Sequence, residues 1–145
     1  MTAKQFLDQI WKKDFEINLL QEDIDDLKSK MRSLCSPSMQ EKVQVSSEND
    51  KFVIFMGRIE KKEQEINEKI DAYIDYREKA VAMINQLPDQ EEAAVLYQWY
   101  IRRKRPKEIA VQFEKSVSTI WTKYNNALAS FEQVHAAVLN LGNLE

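Results

Sequence analysis

Residues 102–124 read RRKRPKEIAVQFEKSVSTIWTKY. Four cations, Arg102, Arg103, Lys104 and Arg105, precede Pro106, and a short apolar set of Ile109, Ala110 and Phe113 follows. Glu114 and Lys115 interrupt that set ahead of Ser116. Proline suits the first position of a helix, where its missing N–H would have no partner anyway. Serine suits an N-cap, because its hydroxyl accepts from an amide of the first turn. Beyond Ser116, the residues Ile120, Tyr124, Ala127, Leu128, Phe131 and Val134 form one helical stripe. The spacing predicts a short helix, a tight joint and a longer helix, with small Ala110 where the two cross closely. That is the spacing of a helix-turn-helix.

Working upstream, Pro88 and Asp89 mark a boundary. Asp89 is placed to cap a helix opening on Gln90, Glu91 and Glu92, with acids at the end where the dipole favours them. Ala93, Leu96, Tyr97, Tyr100 and Ile101 supply its apolar face, and the four cations close it. Residues 1–100 hold 14 Lys/Arg and 20 Asp/Glu, whereas residues 101–145 hold 7 and 4. An acidic body with a basic segment points one surface at an anionic partner. The same cations also complement a helix C-terminus and keep a surface solvated.

Further upstream two long amphipathic patterns appear. Ile10, Ile17, Ile24 and Met31 recur every seven residues beside Leu20, Leu27 and Leu34, with Lys13 breaking the second series. Phe6, Trp11 and Phe15 add apolar bulk near its start. Phe52, Ile59, Ile66, Tyr73, Ala80 and Leu87 do the same beside Met56, Ile70 and Ile84, with Glu63 and Arg77 as interruptions. Helices over about 3–34 and 50–87 are predicted, joined by a loop over 35–49 that contains Pro37 and several serines. Neither apolar face can remain in water. An antiparallel, coiled-coil-like pairing follows, with Ile17, Leu20, Ile24 and Leu27 facing Ile59, Ile66, Ile70 and Tyr73. Two helices bury little, so pairing with a second copy, a homo-oligomer of dimer type, is expected as well. The sequence leaves the oligomeric state open.

Only 2 glycines and 3 prolines occur in 145 residues, which argues against the many turns of a β-rich fold. The fold class expected is all-α: a long antiparallel helical hairpin over 1–88, then a helix-turn-helix domain over 89–145. No apolar run reaches the roughly 18 residues of a membrane span. Lys4, Asp8 and Asp14 interrupt any signal-peptide core, and the single cysteine, Cys35, permits no internal disulfide. A cytoplasmic protein without membrane contact is expected.

The string AAVLYQWYIRRKRPKEIAVQFEKSVSTIWTKYNNALASF resembles region 4 of bacterial sigma factors and its phage relatives. Its anchors are Tyr100-Ile101, Ile109-Ala110, Ser116, Ile120 and Ala127-Leu128. The helix INLLQEDIDDLKS, the loop EKVQVSS and the helix EINEKIDAYID ahead of it are similar to small phage and prophage regulators of the late-gene activator type. The resemblance covers most of the chain. It departs at the turn, where Glu114 and Lys115 stand in place of a common glycine, and on the recognition face, where Trp121 and Thr122 replace basic residues.

The resemblance implies a DNA-binding regulator of transcription. Arg102, Arg103, Lys104, Arg105 and Lys107 would attract and position phosphates. Val117, Ser118, Trp121, Thr122 and Asn125 would meet base edges, with Lys115 and Lys123 flanking on phosphate. Trp121 has a plainer alternative, packing against the helical hairpin rather than facing DNA. Two other roles stay open: the small DNA-recognition subunit of a phage packaging terminase, and an interaction module that contacts RNA polymerase or a sigma factor. No catalysis, cofactor or metal is expected. Cys35 and His135 are single residues of their kinds, too few for a zinc set, and two glycines cannot write a phosphate-cradling loop. His135 stands alone on its helix with no partner in view, and reads as a neutral surface or packing residue.

Overall fold

The computed structural model describes residues 1–34 and 45–142. Over these residues the chain is all-helical. Helix α1 is Ala3–Leu34 and α2 is Val45–Asn85. Helix α3, Gln90–Leu96, runs on through a π-helical turn, Tyr97–Ile101. Helices α4 (Pro106–Phe113), α5 (Val117–Val134) and α6 (Ala136–Gly142) follow. Helix α2 begins at Val45, five residues before the expected start. Residues 45–49, read as loop because of their serines, are helical. Asp50 stands near the end of the helix that favours acids. The rest of the expected loop, 35–44, lies outside the described residues. No described helix is long and apolar enough to cross a membrane.

Two compact units emerge, and they do not divide at residue 88. One comprises residues 1–13 and 73–145, the other 14–72. The first unit takes both ends of the expected hairpin into its core: Phe6, Leu7 and Ile10 from α1, and Ala80, Met83, Ile84 and Leu87 from α2. These bury with Val95, Leu96, Tyr100, Ile109, Ile120, Tyr124 and Phe131. Polar contacts fasten the start of α1 in place. Thr2 and Gln5 satisfy each other's amides through their side chains, at 2.9 and 3.1 Å. A Glu132 carboxylate oxygen accepts from the Ala3 amide at 3.0 Å, capping a first-turn donor from another helix. Trp11 Nε1 donates to the Tyr100 carbonyl at 3.1 Å, and the Tyr76 hydroxyl donates to the Phe6 carbonyl at 2.7 Å. Lys13, the break in the first heptad series, lies over the Tyr76 ring at 5.2 Å. His135 is buried, and its Nε2 donates to the Met83 carbonyl at 2.7 Å. Of the surface and packing roles that the sequence left open it takes the packing one, and Met83, far away in the chain, is a partner that local spacing did not announce.

In the second unit Ile24, Ile59 and Ile66 are buried together, with Ile17, Leu20, Leu27, Met31 and Ile70 packed against them. Tyr73 belongs to the first unit's core rather than to this one. Glu63, an interruption of the second heptad series, sits 3.2 Å from Lys28, and Lys69 sits 3.4 Å from Glu16. Rising numbers on α1 therefore meet falling numbers on α2.

Burial leaves a pH signature in the first unit. Desolvation pushes the Tyr76 hydroxyl up to about 12, and burial likewise raises Tyr100 and Tyr124. A raised folded value means that the folded state holds its proton after the unfolded chain has lost it. The stabilisation is complete below about pH 10, the ordinary tyrosine value, and disappears as pH climbs through the folded values. Thermal melts from pH 8 to 12 will show a melting temperature that falls above pH 10. A melting temperature unchanged over that range contradicts the burial of these three hydroxyls.

Candidate nucleic-acid interface

The expected interface lies in the first unit and is built from α3 to α5. Asp89 caps α3, with its Oδ1 accepting from the amides of Glu91 and Glu92 at 2.9 and 3.2 Å. The π-helical turn ends the helix: the Arg102 amide donates to the Tyr97 carbonyl at 3.2 Å, and the Lys104 amide to the Gln98 carbonyl at 3.0 Å. One extra residue per turn of this kind is invisible to a 3.6-residue pattern. Tyr100 points into the core and is 1% exposed. The chain then reverses through Arg103, whose φ of 55° is left-handed. Arg105 is extended and precedes Pro106 at the start of α4, as the missing proline donor predicts.

Helix α4 packs on α5 with Ile109, Ala110 and Ile120 buried between them. Its end is tight. Glu114 is left-handed, with φ 56° and ψ 43°, the Lys115 amide donates to the Ala110 carbonyl at 2.9 Å, and the Glu114 amide to that of Val111 at 3.2 Å. Such a turn favours glycine, which has no Cβ to crowd the following carbonyl. Glu114→Gly should therefore stabilise the unit by about 1 kcal/mol, the order of the left-handed penalty for a residue with a side chain. Chemical denaturation reads the change, and a destabilised Gly variant refutes it. Ser116 then caps α5, its Oγ accepting from the Thr119 amide at 3.2 Å.

The residues expected on base edges share one side of the helix. Ser118, Trp121, Thr122 and Asn125 stand at i, i+3, i+4 and i+7 and are exposed, as is Val117. The Thr122 hydroxyl donates to the Ser118 carbonyl at 3.1 Å, so only its acceptor capacity faces outward. Trp121 is exposed and leans on aromatic rings of the C-terminal helices rather than on the hairpin. It is 45% exposed, yet its ring stands edge-on to Trp99 at 4.9 Å and to Tyr124 at 5.8 Å. Behind it Trp99 stacks on Tyr124 at 3.9 Å, and the hydroxyls of Tyr100 and Tyr124 meet at 2.6 Å in the interior. A buried phenol pair supports an exposed indole.

Arg102, Arg103, Arg105 and Lys107 are exposed. The Arg102 guanidinium lies over the Tyr97 ring at 5.8 Å and that of Arg103 over Trp11 at 5.9 Å. Lys104 is half-buried and donates to Gln112 Oε1 at 3.0 Å. Lys115 and Lys123, expected to flank on phosphate, have an anionic partner within the chain. Both pair with Glu91, at 3.4 and 3.2 Å. Glu91 was visible in the sequence only as a first-turn acid of α3; no local spacing links it to lysines 24 and 32 positions away. Among the described residues, no group of three or more His, Cys, Asp or Glu side chains could hold a metal ion.

Residues 33–132 match the family described as "Protein of unknown function (DUF1492)". The chain belongs to the DUF1492 family. The DUF1492 match runs from the end of α1 to residue 132 on α5, so it takes in α3, α4 and nearly all of α5, where the candidate interface lies. No curated protein and no solved structure matches the chain.

Proposed function

We propose that this chain is a DNA-binding transcriptional regulator of phage or prophage type, gripping promoter DNA through a helix-turn-helix formed by α4 and α5. One observation carries the proposal. A close-packed helix pair, joined by a left-handed turn at Glu114, has an exposed row of Ser118, Trp121, Thr122 and Asn125 on its second helix and exposed cations, Arg105 and Lys107, at the head of its first. The cations supply sequence-independent attraction to phosphates. Ser118 and Asn125 offer hydrogen bonds to base edges, and Val117 and Trp121 offer apolar contact to a thymine methyl.

The paired segments of α1 and α2 act in this proposal as a helical hairpin that brings two copies together or contacts the transcription machinery. Among the described residues its buried set is Ile24, Ile59 and Ile66, while Phe15, Leu19, Phe52, Val53 and Ile54 remain exposed. Those exposed side chains are what a second copy would cover. A dimer mass by light scattering is the expected result, and a ring of many copies points to the packaging role instead.

The direct test is fluorescence anisotropy of a labelled duplex at several salt concentrations. Contacts by Arg102, Arg103, Lys104, Arg105 and Lys107 predict that log K falls with log salt at a slope of roughly −4 to −5. Absence of binding near 50 mM salt ends the proposal.

A further inference from the structure

Glu91 stands in the first turn of α3, its amide fixed by Asp89 at 2.9 Å. Its two carboxylate oxygens are shared between two cations. Oε1 lies 3.4 Å from Lys115 Nζ in the α4–α5 joint, and Oε2 lies 3.2 Å from Lys123 Nζ on α5. The Lys123 hydrogen bond, with help from Lys115, holds the Glu91 carboxyl below the usual carboxylate range. All three side chains are reachable from solvent, at 38%, 39% and 23% exposure. The two lysines stand on either side of Ser116, the residue that opens the helix proposed to read DNA.

A carboxylate presents two oxygens that share one negative charge. The non-bridging oxygens of a phosphodiester do the same. Resting on the DNA-binding reading above, we infer that Glu91 holds the place of a backbone phosphate between Lys115 and Lys123, and that duplex DNA must displace it. The exchange replaces one anion by another on the same two ammonium groups. The displaced carboxylate then takes a cation from solution, cancelling much of the counterion release that the new phosphate contact would bring. Glu91 thereby lowers affinity for any polyanion. Discrimination is left to the side chains that touch bases, since phosphate contacts carry no sequence information.

Three proteins decide the matter: Glu91→Gln, Lys115→Met with Lys123→Met, and all three changes together. Methionine keeps the aliphatic stems, and melting temperatures report whether each protein is folded. Duplex binding is measured over a salt series. E91Q should bind roughly fivefold to tenfold more tightly near 150 mM salt, with a slope steeper by about 1, the share of one phosphate. The gain should vanish in the triple variant, because the lysines that would take the phosphate are gone. An E91Q protein with unchanged or weaker binding overturns the inference. So does a gain that persists without the lysines, which would be a general charge effect. Both results leave the DNA-binding reading standing. If the wild-type chain binds no duplex at any salt concentration, that reading falls and the inference falls with it.

Discussion

Alanine at Arg102, Arg103 and Arg105 together will weaken duplex binding about a hundredfold near 150 mM salt. Each phosphate neutralised by a side-chain cation releases close to one counterion, so three lost contacts flatten the log–log slope by about 2.7. At that salt the same term amounts to roughly two decades of affinity. The loss should be similar for every duplex, because phosphate contacts carry no sequence information. Two of the three also touch aromatic rings: Arg102 lies over Tyr97 and Arg103 over Trp11. Those contacts are worth about 0.5–1 kcal/mol each at exposed sites, so a modest fall in melting temperature accompanies the change. Lysine at the same three positions restores most of the binding, since the term depends on charge more than on the guanidinium fork. A triple-alanine protein with the wild-type slope would falsify the assignment of this elbow to phosphate.

Phe131→Ala should cost about 4 kcal/mol, the largest single-residue effect expected in the chain. Phe131 is 0% exposed, and its ring lies 5.8 Å from that of Phe6 and 4.7 Å from that of His135. Removing it opens a cavity where α1 meets α5, and the neighbours have hydrogen bonds that resist collapse. His135 is tied to the Met83 carbonyl at 2.7 Å, and the Phe6 carbonyl is tied to the Tyr76 hydroxyl at 2.7 Å. Leucine at 131 refills part of the space and should cost markedly less. Chemical denaturation reads both values. A loss below about 1 kcal/mol for the alanine variant would mean that the start of α1 is not packed on α5. Any DNA binding by the surviving folded fraction should keep the wild-type salt slope, because no cation is removed. That separates a stability defect from an interface defect.

Much of the fold was legible along the chain because its signals are local. Asp89 and Ser116 cap the helices that their positions suggested, and Pro106 opens the one that follows the cations. These residues act on amides two or three positions away, so spacing reveals them. Helix α2 starts earlier than expected because Ser46, Ser47 and Asn49 look like loop in isolation but extend a long helix at little cost. Tyr73 has the right heptad position for one core and belongs to the other. Periodicity says which face of a helix is apolar and is silent on what covers it. Ser118, Trp121, Thr122 and Asn125 were legible as one exposed side of α5, because helical spacing alone groups them. The partners of Lys115 and Lys123 were not.

The amino-acid sequence by itself determined the helices, their apolar faces and the concentration of positive charge after Ile101. Those follow from periods, caps and composition, each sensed within a few residues. Tertiary structure alone decided that the ends of α1 and α2 join the C-terminal helices in one core, that Trp121 leans on Trp99 and Tyr124, and that Glu91 claims two lysines. Each of these contacts joins groups far apart in the chain, where the free energy of burial or pairing depends on a neighbour that no local pattern announces.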